Sequence, residues 1–317
     1  MLGLLIGTNE GLLELIPGDA PKRRISGAIT AIDYRDGVAL AGGPEVGAWI
    51  HAGKSWARLA EDLTAPAPAS EGRPSVRAVR VGADGALYLG LEPAGLLVSR
   101  DRGASWAAVE GIPALLRHER ALKTPPGASA PYVAGIVFPD EGVVAGVSGA
   151  GAWGSRDKGA TWMRRSDGLD PMVRRLWDHP ERGDRLYAIT DSGFYRTDDG
   201  GFSWVQSLRG LDRPRAWDVA VIPATPDRII LSVARGAGGE DGALFRSINA
   251  GLSWERMALG DRDEFARAPL VTRVWDSEDT LFALADGVAW GSHDGGKSWM
   301  TLAEGLPMAA NILVAAL

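Results

Sequence analysis

The chain has 317 residues, of which 45% are hydrophobic and 23% are charged, and its net charge is −6. This composition is typical of a globular protein and excludes a disordered one. The absence of cysteine excludes disulfides, zinc–thiolate sites, iron–sulfur clusters and cysteine nucleophiles. The longest basic run is Lys22 to Arg24 in a mildly acidic chain, which argues against a nucleic acid or membrane partner.

The N-terminal residues 1–8 are apolar and are followed by polar residues and glycines, too soon for a membrane span. They lack the basic start of a signal peptide, so we expect a cytoplasmic protein. A secreted protein whose signal peptide had been replaced by a new methionine would look the same. Residues 4–8 and 11–15 instead have the pattern of two short strands.

One eight-residue pattern, S-x-D-x-G-x-[ST]-W, recurs along the chain, with Thr or Asn replacing its first or third residue once each. Good copies occupy residues 99–106, 155–162, 197–204, 247–254 and 292–299, and a degenerate copy ends at Trp56. The third position of each good copy accepts backbone N–H groups in a tight turn, and the glycine supplies a positive φ. We therefore expect structural roles for this third residue, which is Asp101, Asp157, Asp199, Asn249 or Asp294.

Each motif follows a short apolar run that begins after a glycine, as at residues 95–98 and 193–195, which predicts a hairpin centred on the motif. Two further strand patterns precede each hairpin, for example residues 76–81 and 86–91, or 173–177 and 185–190. Four antiparallel strands per repeat are typical of a β-propeller blade.

Six motifs leave strand patterns unassigned at both ends of the chain. Residues 4–15 match the second and third strands of a blade, and residues 311–315 match a first strand. We therefore predict an all-β, seven-bladed propeller with about 45 residues per blade, forming one domain over residues 1–317. Its first blade combines residues 1–26 and 305–317, lacks the motif and closes the ring through the C-terminal strand.

The motif resembles the Asp-box, or BNR repeat, of sialidase-type and sortilin-type β-propellers. The chain is also similar to uncharacterised bacterial BNR-repeat proteins of glycosyl-hydrolase type and, in size and blade count, to photosystem II assembly factors. Sialidases carry an aromatic-Arg-Ile-Pro motif near the N-terminus, and the nearest string here, Arg23-Arg24-Ile25-Ser26, lacks the aromatic residue and the proline. The resemblance thus implies a propeller and argues against sialidase activity.

Arginines recur on the predicted inner strands, which line the channel of a propeller. The pattern R-x-W-D begins at Arg175, Arg215 and Arg273, and Arg77 has a comparable place. A second alignment, counted from the following prolines, matches Arg175 with Asp218 instead. The arginines either converge on an anion or pair with aspartates of neighbouring blades. The candidate ligand-binding residues are Arg77, Arg175, Trp177, Asp218 and Arg273.

Carboxylates on short loops of the same face are candidates for acid–base chemistry. They are Glu92, Asp191 and Asp286, each beside a turn glycine. A glycosidase needs two carboxylates that flank the bond, and turn formation is the alternative role for each of these. Longer loops at residues 59–74, 109–131, where a short helix is expected, and 235–242 either wall or cover a pocket or are tolerated surface insertions.

The four histidines, His51, His118, His179 and His293, lack metal-ligand spacing, so we expect no metal and no cofactor. No nucleophile elbow, phosphate loop or dinucleotide fingerprint is present in the sequence. Two functions follow. The first is a non-catalytic scaffold or binding module for a small anion or a protein, and the alternative is a glycosidase-like hydrolase or lyase acting on an anionic sugar.

Overall fold

The computed structural model describes residues 2–316, except residues 54, 60–73, 113–115, 117–121, 225, 275, 276 and 278. It also gives no side-chain burial for residues 2, 312 and 314–316. Seven antiparallel sheets form the seven blades of a β-propeller. The all-β, seven-bladed prediction is therefore confirmed.

The first four blades follow one another along the chain. Blade 1 contains β1 (Leu2–Thr8), β2 (Gly11–Leu15) and β3 (Lys22–Ser26). Blade 2 contains β4 (Ala31–Arg35), β5 (Val38–Gly43), β6 (Gly47–Ala52) and β7 (Trp56–Leu59). Blade 3 contains β8 (Ser75–Val81), β9 (Leu87–Glu92), β10 (Gly95–Ser99) and β11 (Ala107–Val109). Blade 4 contains β12 (Tyr132–Val137), β13 (Val143–Ser148), β14 (Gly151–Ser155) and β15 (Met163–Arg164).

The last three blades complete the ring. Blade 5 contains β16 (Val173–Asp178), β17 (Leu186–Thr190), β18 (Gly193–Thr197) and β19 (Val205–Ser207). Blade 6 contains β20 (Arg215–Ile222), β21 (Arg228–Ala234), β22 (Glu240–Ser247) and β23 (Glu255–Met257), with β24 (Phe265–Arg267) added beside β22. Blade 7 contains β25 (Leu270–Arg273), β26 (Leu281–Ala285), β27 (Val288–Ser292) and β28 (Met300–Ala303).

The C-terminal strand β29 (Ala309–Ala316) is the inner strand of blade 1. It pairs antiparallel with β1 from Leu2 opposite Ala316 to Thr8 opposite Ala309. The predicted closure is therefore confirmed. Because the two chain ends hydrogen-bond to each other, the ring has no open edge between its first and last blades.

The motif forms the turn between the third and fourth strands of a blade. In blade 3, Ser105 donates its backbone N–H to Asp101 Oδ1 at 2.9 Å, and Gly103 donates its N–H to Ser99 Oγ at 2.7 Å. Hydrogen bonds from Ser105 and Ser99 lower the pKa of Asp101 to about 2. The turn also requires left-handed backbone, because φ is +59° at Arg102 and +89° at Gly103.

The motif also joins three of the blades to the preceding one, through Trp162, Trp204 and Trp254. Trp204 donates its indole N–H to the backbone oxygen of Arg165 in blade 4 at 3.0 Å, and Trp162 donates to that of Glu110, just beyond blade 3, at 2.9 Å. The apolar core lies between blades, so that Leu40 of blade 2 and Leu89 of blade 3 belong to one buried cluster. The repeat therefore supplies both the turns and many of the contacts between neighbouring blades.

Antiparallel strands place the connections on two faces of the disc. The entrance face carries the connections between blades and the turns between second and third strands. The motif face carries the motif turns and the turns between first and second strands. The motif turns and the entrance loops therefore lie on opposite faces of the disc.

Candidate functional site

The central channel is narrow and polar, with a volume of about 180 Å³. All five candidate ligand-binding residues line it, which are Arg77, Arg175, Trp177, Asp218 and Arg273. Additional charged residues there are Arg80, Asp33 and Asp178. The sequence therefore identified channel residues, and their contacts decide whether they are available to a ligand.

Arg80 bridges the channel. Its guanidinium donates to Asp178 Oδ2 of blade 5 at 2.7 Å and to Asp33 Oδ1 of blade 2 at 3.3 Å. Burial acts to lower the pKa of Arg80, but Asp178 and Asp33 outweigh it and raise the pKa above its ordinary value. Asp33 also accepts the backbone N–H of Val81 at 2.7 Å. These ion pairs hold three blades together and fill part of the channel.

Arg175 and Asp218 pair between blades 5 and 6. Arg175 Nη1 lies 3.4 Å from Asp218 Oδ1, and its Nη2 donates to the backbone oxygen of Ala310 at 2.9 Å. Asp218 Oδ2 accepts the N–H of Val271 in blade 7 at 3.0 Å. Burial raises the pKa of Asp218, partly offset by Arg175. Arg175 therefore pairs with an aspartate of the neighbouring blade, as one of the two interpretations of the sequence expects.

The strand register decides between the two sequence alignments. The inner strands of blades 5 and 6 each contain a β-bulge, at Arg174 and at Trp217. The residues that follow these bulges, Arg175 and Asp218, therefore occupy equivalent positions, as in the second alignment. The third R-x-W-D copy cannot be compared, because residues 275 and 276 lie outside the described part of the chain.

Glu92, the first candidate acid, is fully engaged. It accepts from Arg77 Nε at 2.6 Å and from the Ser129 N–H and hydroxyl at 2.5 and 2.8 Å. Burial acts to raise the pKa of Glu92, but the hydrogen bonds from Ser129 and Arg77 hold it below its ordinary value. Such a carboxylate stays ionised and is not suited to donate a proton.

The other two candidate acids are also held by arginines. Asp191 accepts from Arg174 Nε at 2.5 Å and lies 3.6 Å from Arg215 Nη1. Asp286 accepts from Arg262 Nη2 at 2.5 Å and from the backbone N–H of Ala266 at 3.1 Å. The structure thus places the three acids in three different ion-pair groups rather than as a facing pair.

A larger cleft of about 610 Å³ opens on the entrance face beside blades 4, 5, 6, 7 and 1. Arginines on its wall are Arg174, Arg175 and Arg267, and Asp286 supplies one carboxylate. Its apolar surface comes from side chains that include Trp217, Leu270, Leu306, Pro307 and Met308. Its size and mixed lining suit a small-molecule ligand.

Trp217 organises one wall of this cleft. The Arg174 guanidinium carbon lies 4.5 Å from the centre of the Trp217 ring. Gly239, with a φ of +89°, packs so closely that a Cβ there would lie 3.0 Å from the same ring. Arg174 Nη2 also donates to the backbone oxygen of Ala237 at 3.1 Å. Gly238 and Gly239 of the insertion at residues 235–242 therefore form part of the cleft wall.

Arg213, whose side chain is buried, holds Asp241 near the end of the insertion at residues 235–242. Arg213 Nη2 donates to Asp241 Oδ1 at 2.7 Å, and Nη1 contacts Asp212 Oδ1 at 2.7 Å. Burial acts to lower the pKa of Arg213, but Asp212 and Asp241 raise it above its ordinary value. Of the other two long loops, residues 60–73, 113–115 and 117–121 lie outside the described residues, including most of the expected helix.

A second buried cluster lies on the motif face between blades 5 and 6. Asp227 accepts from Arg185 Nη1 at 2.6 Å and from the Tyr187 hydroxyl at 3.2 Å, and His179 Nε2 lies 3.1 Å away. Burial acts to raise the pKa of Asp227, but Arg185 and His179 outweigh it and lower the pKa. This cluster therefore places buried charged groups of blades 5 and 6 in contact across the blade boundary.

Sequence reasoning missed Arg80, Arg174, Trp217 and Arg267. Arg80 is three residues after Arg77 on the same predicted inner strand, so the rule that inner strands line the channel could have identified it as well. Arg174 is adjacent to Arg175, and only the bulge gives the two residues separate roles. Trp217 stood in the second R-x-W-D copy, whereas Arg267 had no distinguishing sequence pattern.

Within the described part of the chain, no cluster of three or more His, Asp or Glu side chains has a geometry that would hold a metal ion. No helix among the same residues is long and apolar enough to span a membrane.

Comparison with known sequences gives a local match. No family model matches the chain. A stretch of 86 residues, 26% of the chain, is 38% identical to part of the vacuolar protein sorting/targeting protein 10 of Sordaria macrospora. The match covers only 6% of that protein.

Solved structures are similar over most of the chain. The GH74 xyloglucanase of Xanthomonas campestris has a TM-score of 0.64 at 18% identity, covering 96% of this chain and 47% of that one. YCF48 bound to a D1 peptide has a TM-score of 0.60 at 16% identity, covering 86% and 80%. A Bacteroides fragilis protein assigned as a 6-phosphogluconolactonase has a TM-score of 0.62 at 10% identity, covering 99% and 98%. At these identities the likeness shows the β-propeller fold alone.

Proposed function

We propose that the protein is a non-catalytic binding module whose entrance cleft takes a small anionic molecule. The observation that carries this proposal is the pairing of Glu92, Asp191 and Asp286 with arginines. Each accepts a hydrogen bond from an arginine, and each belongs to a different ion-pair group. A hydrolase of the glycosidase type needs two carboxylates that face each other across the bond, and these three lie in separate ion-pair groups.

The charges and shape of the cleft support an anionic ligand. Its wall carries Arg174, Arg175 and Arg267 against one lining carboxylate, that of Asp286. Arg267 has a side chain that is 48% exposed, donates to the backbone oxygen of Gly238 at 2.6 Å and lies 3.8 Å from Glu240 Oε1. Guanidinium groups held in this way bind carboxylate or phosphate oxygens through charge-assisted hydrogen bonds.

We also propose that the chain belongs to the Asp-box propellers. The five good copies of the motif support this assignment. So does their recurring turn geometry, in which Ser155 donates to Asp157 Oδ1 at 2.8 Å and Ser292 to Asp294 Oδ1 at 2.8 Å. In this proposal the motif aspartates are structural and the ligand lies on the opposite face.

Calorimetric titration of the intact protein with gluconate, phosphate and sulfate tests the binding proposal. We expect saturable binding that weakens with added salt, together with a rise in melting temperature. A ligand at 100 times its Kd stabilises the folded state by about 2.7 kcal/mol. Arg267→Gln should lose affinity. Arg100→Gln should not, because Arg100 pairs on the motif face with Asp84, an exposed partner 3.1 Å away.

Two outcomes contradict the proposal. Binding that is unchanged in Arg267→Gln would place the ligand elsewhere. Turnover of an anionic glycoside or lactone, lost on substituting Glu92, Asp191 or Asp286, would instead favour the hydrolase.

A further inference from the structure

Two arginines at the channel mouth are built in the same way. Arg77 of blade 3 and Arg174 of blade 5 are each the extra residue of a β-bulge on an inner strand. The bulges lie between Val76 and Ala78 and between Val173 and Arg175. A bulge re-aims a side chain that regular pleating would direct elsewhere. The two arginines therefore occupy equivalent positions on blades that are separated by one other.

Each arginine donates to a carboxylate at the end of the second strand of its own blade. Arg77 Nε donates to Glu92 at 2.6 Å, and Arg174 Nε donates to Asp191 at 2.5 Å. Glu92 ends β9 and Asp191 follows β17, so both carboxylates belong to the turn between second and third strands. The same edge of each guanidinium is used in both contacts.

Each arginine also lies over an aromatic ring from the next blade. The Arg77 guanidinium carbon is 5.2 Å from the ring centre of Tyr132, and that of Arg174 is 4.5 Å from the ring centre of Trp217. Such contacts fix a guanidinium plane as well as its position. Both arginines are therefore oriented before any ligand arrives.

One edge of each guanidinium remains for a ligand. The hydrogen bonds of Arg77 and Arg174 use Nε and Nη2, and among the described residues neither Nη1 has an acceptor. The two side chains are 25% and 26% exposed. Tyr132, Arg174 and Trp217 line the cleft, Arg77 lines the channel, and Arg175 lines both cavities.

We infer that Arg77 and Arg174 are two matched anchors, and that the ligand is a small molecule with two anionic groups, one for each anchor. This inference rests on the proposed binding function. Glu92 and Asp191 balance much of the charge of the arginines, so one anionic group gains little from long-range attraction. Two groups on one short molecule gain from both anchors, because the second contact forms within the complex.

A length series on the intact protein tests the inference. The probes are straight-chain dicarboxylates of four to eight carbons and the monocarboxylates of equal length, measured by calorimetric titration. We expect one dicarboxylate length to bind at least about tenfold more tightly than its matched monocarboxylate, since affinity is greatest when the linker matches the span of two sites.

Substitutions identify the anchors. Arg77→Gln and Arg174→Gln should each reduce dicarboxylate affinity to about the monocarboxylate level, while binding of the monocarboxylate stays measurable at the other anchor. Arg100→Gln is the matched control, because it removes an arginine of the motif face whose side chain is 53% exposed.

Three outcomes separate the two proposals. Dicarboxylates that bind no more tightly than monocarboxylates at every length overturn the two-anchor inference and leave the binding function standing. An advantage that survives in both variants also overturns it. Absence of binding by every acid tested overturns the proposed function itself. The length series needs no variant, so a substitution that prevents folding does not remove the test.

Discussion

Blades 5 and 6 share two buried carboxylates, Asp227 on the motif face and Asp218 at the channel. The Asp227 side chain has no exposed area, and that of Asp218 is 4% exposed. Asp227 is contacted by Arg185, His179 and Tyr187, whereas Asp218 has Arg175 at 3.4 Å and two backbone N–H donors. The pKa of Asp227 is lowered, and that of Asp218 is raised.

The difference shows that burial alone does not set the behaviour of a carboxylate. Burial acts to raise the pKa of both groups, and only the donors around Asp227 are strong enough to reverse it. Asp227 therefore contributes to stability through its charge on the motif face. Asp218, which lines the channel, has fewer charged partners.

The largest expected effect is that of Asp227→Asn. Removing this charge leaves Arg185 without its buried partner, so we expect the free energy of unfolding to fall by about 3–5 kcal/mol in urea titrations. Asp198→Asn is the control, because Asp198 contacts the same arginine at 2.5 Å but is 47% exposed. It should cost under about 1 kcal/mol. Equal losses would show that Asp227 is not the centre of the cluster.

The same variant predicts a pH dependence. Because the folded-state pKa of Asp227 is lowered, its stabilisation is present above the unfolded-state value of about 3.9 and is lost as pH falls through the folded-state value. The stability difference between Asp227→Asn and the unsubstituted protein should therefore stay constant from pH 7 to about pH 4 and shrink at lower pH. A difference that shrinks between pH 7 and about pH 5, or grows below about pH 4, would contradict this sign.

Gly239→Ala tests whether the entrance wall serves binding. A Cβ at 239 would lie 3.0 Å from Trp217, whereas one at Gly260, with a φ of +62°, meets nothing within 4 Å. Both alanine variants should lose about 1–2 kcal/mol of stability from left-handed backbone. Only Gly239→Ala should also weaken gluconate binding, by about tenfold, since it displaces Trp217 and so Arg174. Equal affinities in the two variants would argue against this wall.

Asp218→Asn should have a smaller effect on stability, about 1 kcal/mol, because the amide oxygen still accepts the N–H of Val271. Since burial raises the pKa of Asp218, its contribution falls as pH rises from about 4 through the folded-state value. The difference between variant and unsubstituted protein should therefore shrink over that window. A difference that grows with pH would show that Arg175 controls this carboxylate after all.

The smallest effect is expected for Asp101→Asn in a motif turn. Asn249 already occupies the same position in blade 6 and accepts the N–H of Ser253 at 3.0 Å. At pH 7 the asparagine variant should melt close to the unsubstituted protein, and Asp101→Ala should melt lower. The low pKa of Asp101, about 2, means that its stabilisation is lost only as pH falls toward that value. Equal melting temperatures for the two variants would show that the hydrogen bonds accepted by residue 101 do not stabilise the fold.

Local patterns were enough to predict the motif turns and most strands. Thr161, for example, donates its N–H to Asp157 at 2.8 Å, and these residues are four positions apart. The ion pair between Arg80 and Asp178 joins residues 98 positions apart across the channel. No spacing rule links such residues, because their distance depends on the curvature of the ring. The three candidate acids were located on the correct type of turn, but their arginine partners were not predicted.

The repeat, the seven blades and the closure by the C-terminal strand follow from the amino-acid sequence, because turns and alternating strands depend on neighbouring residues. Which charged side chains form pairs depends instead on how the blades pack. The bulge at Arg174 directs that side chain to Trp217 and leaves Arg175 to Asp218, although the two arginines are adjacent. A single extra residue in a strand changes side-chain direction, and its effect exists only once the blades are packed around the channel.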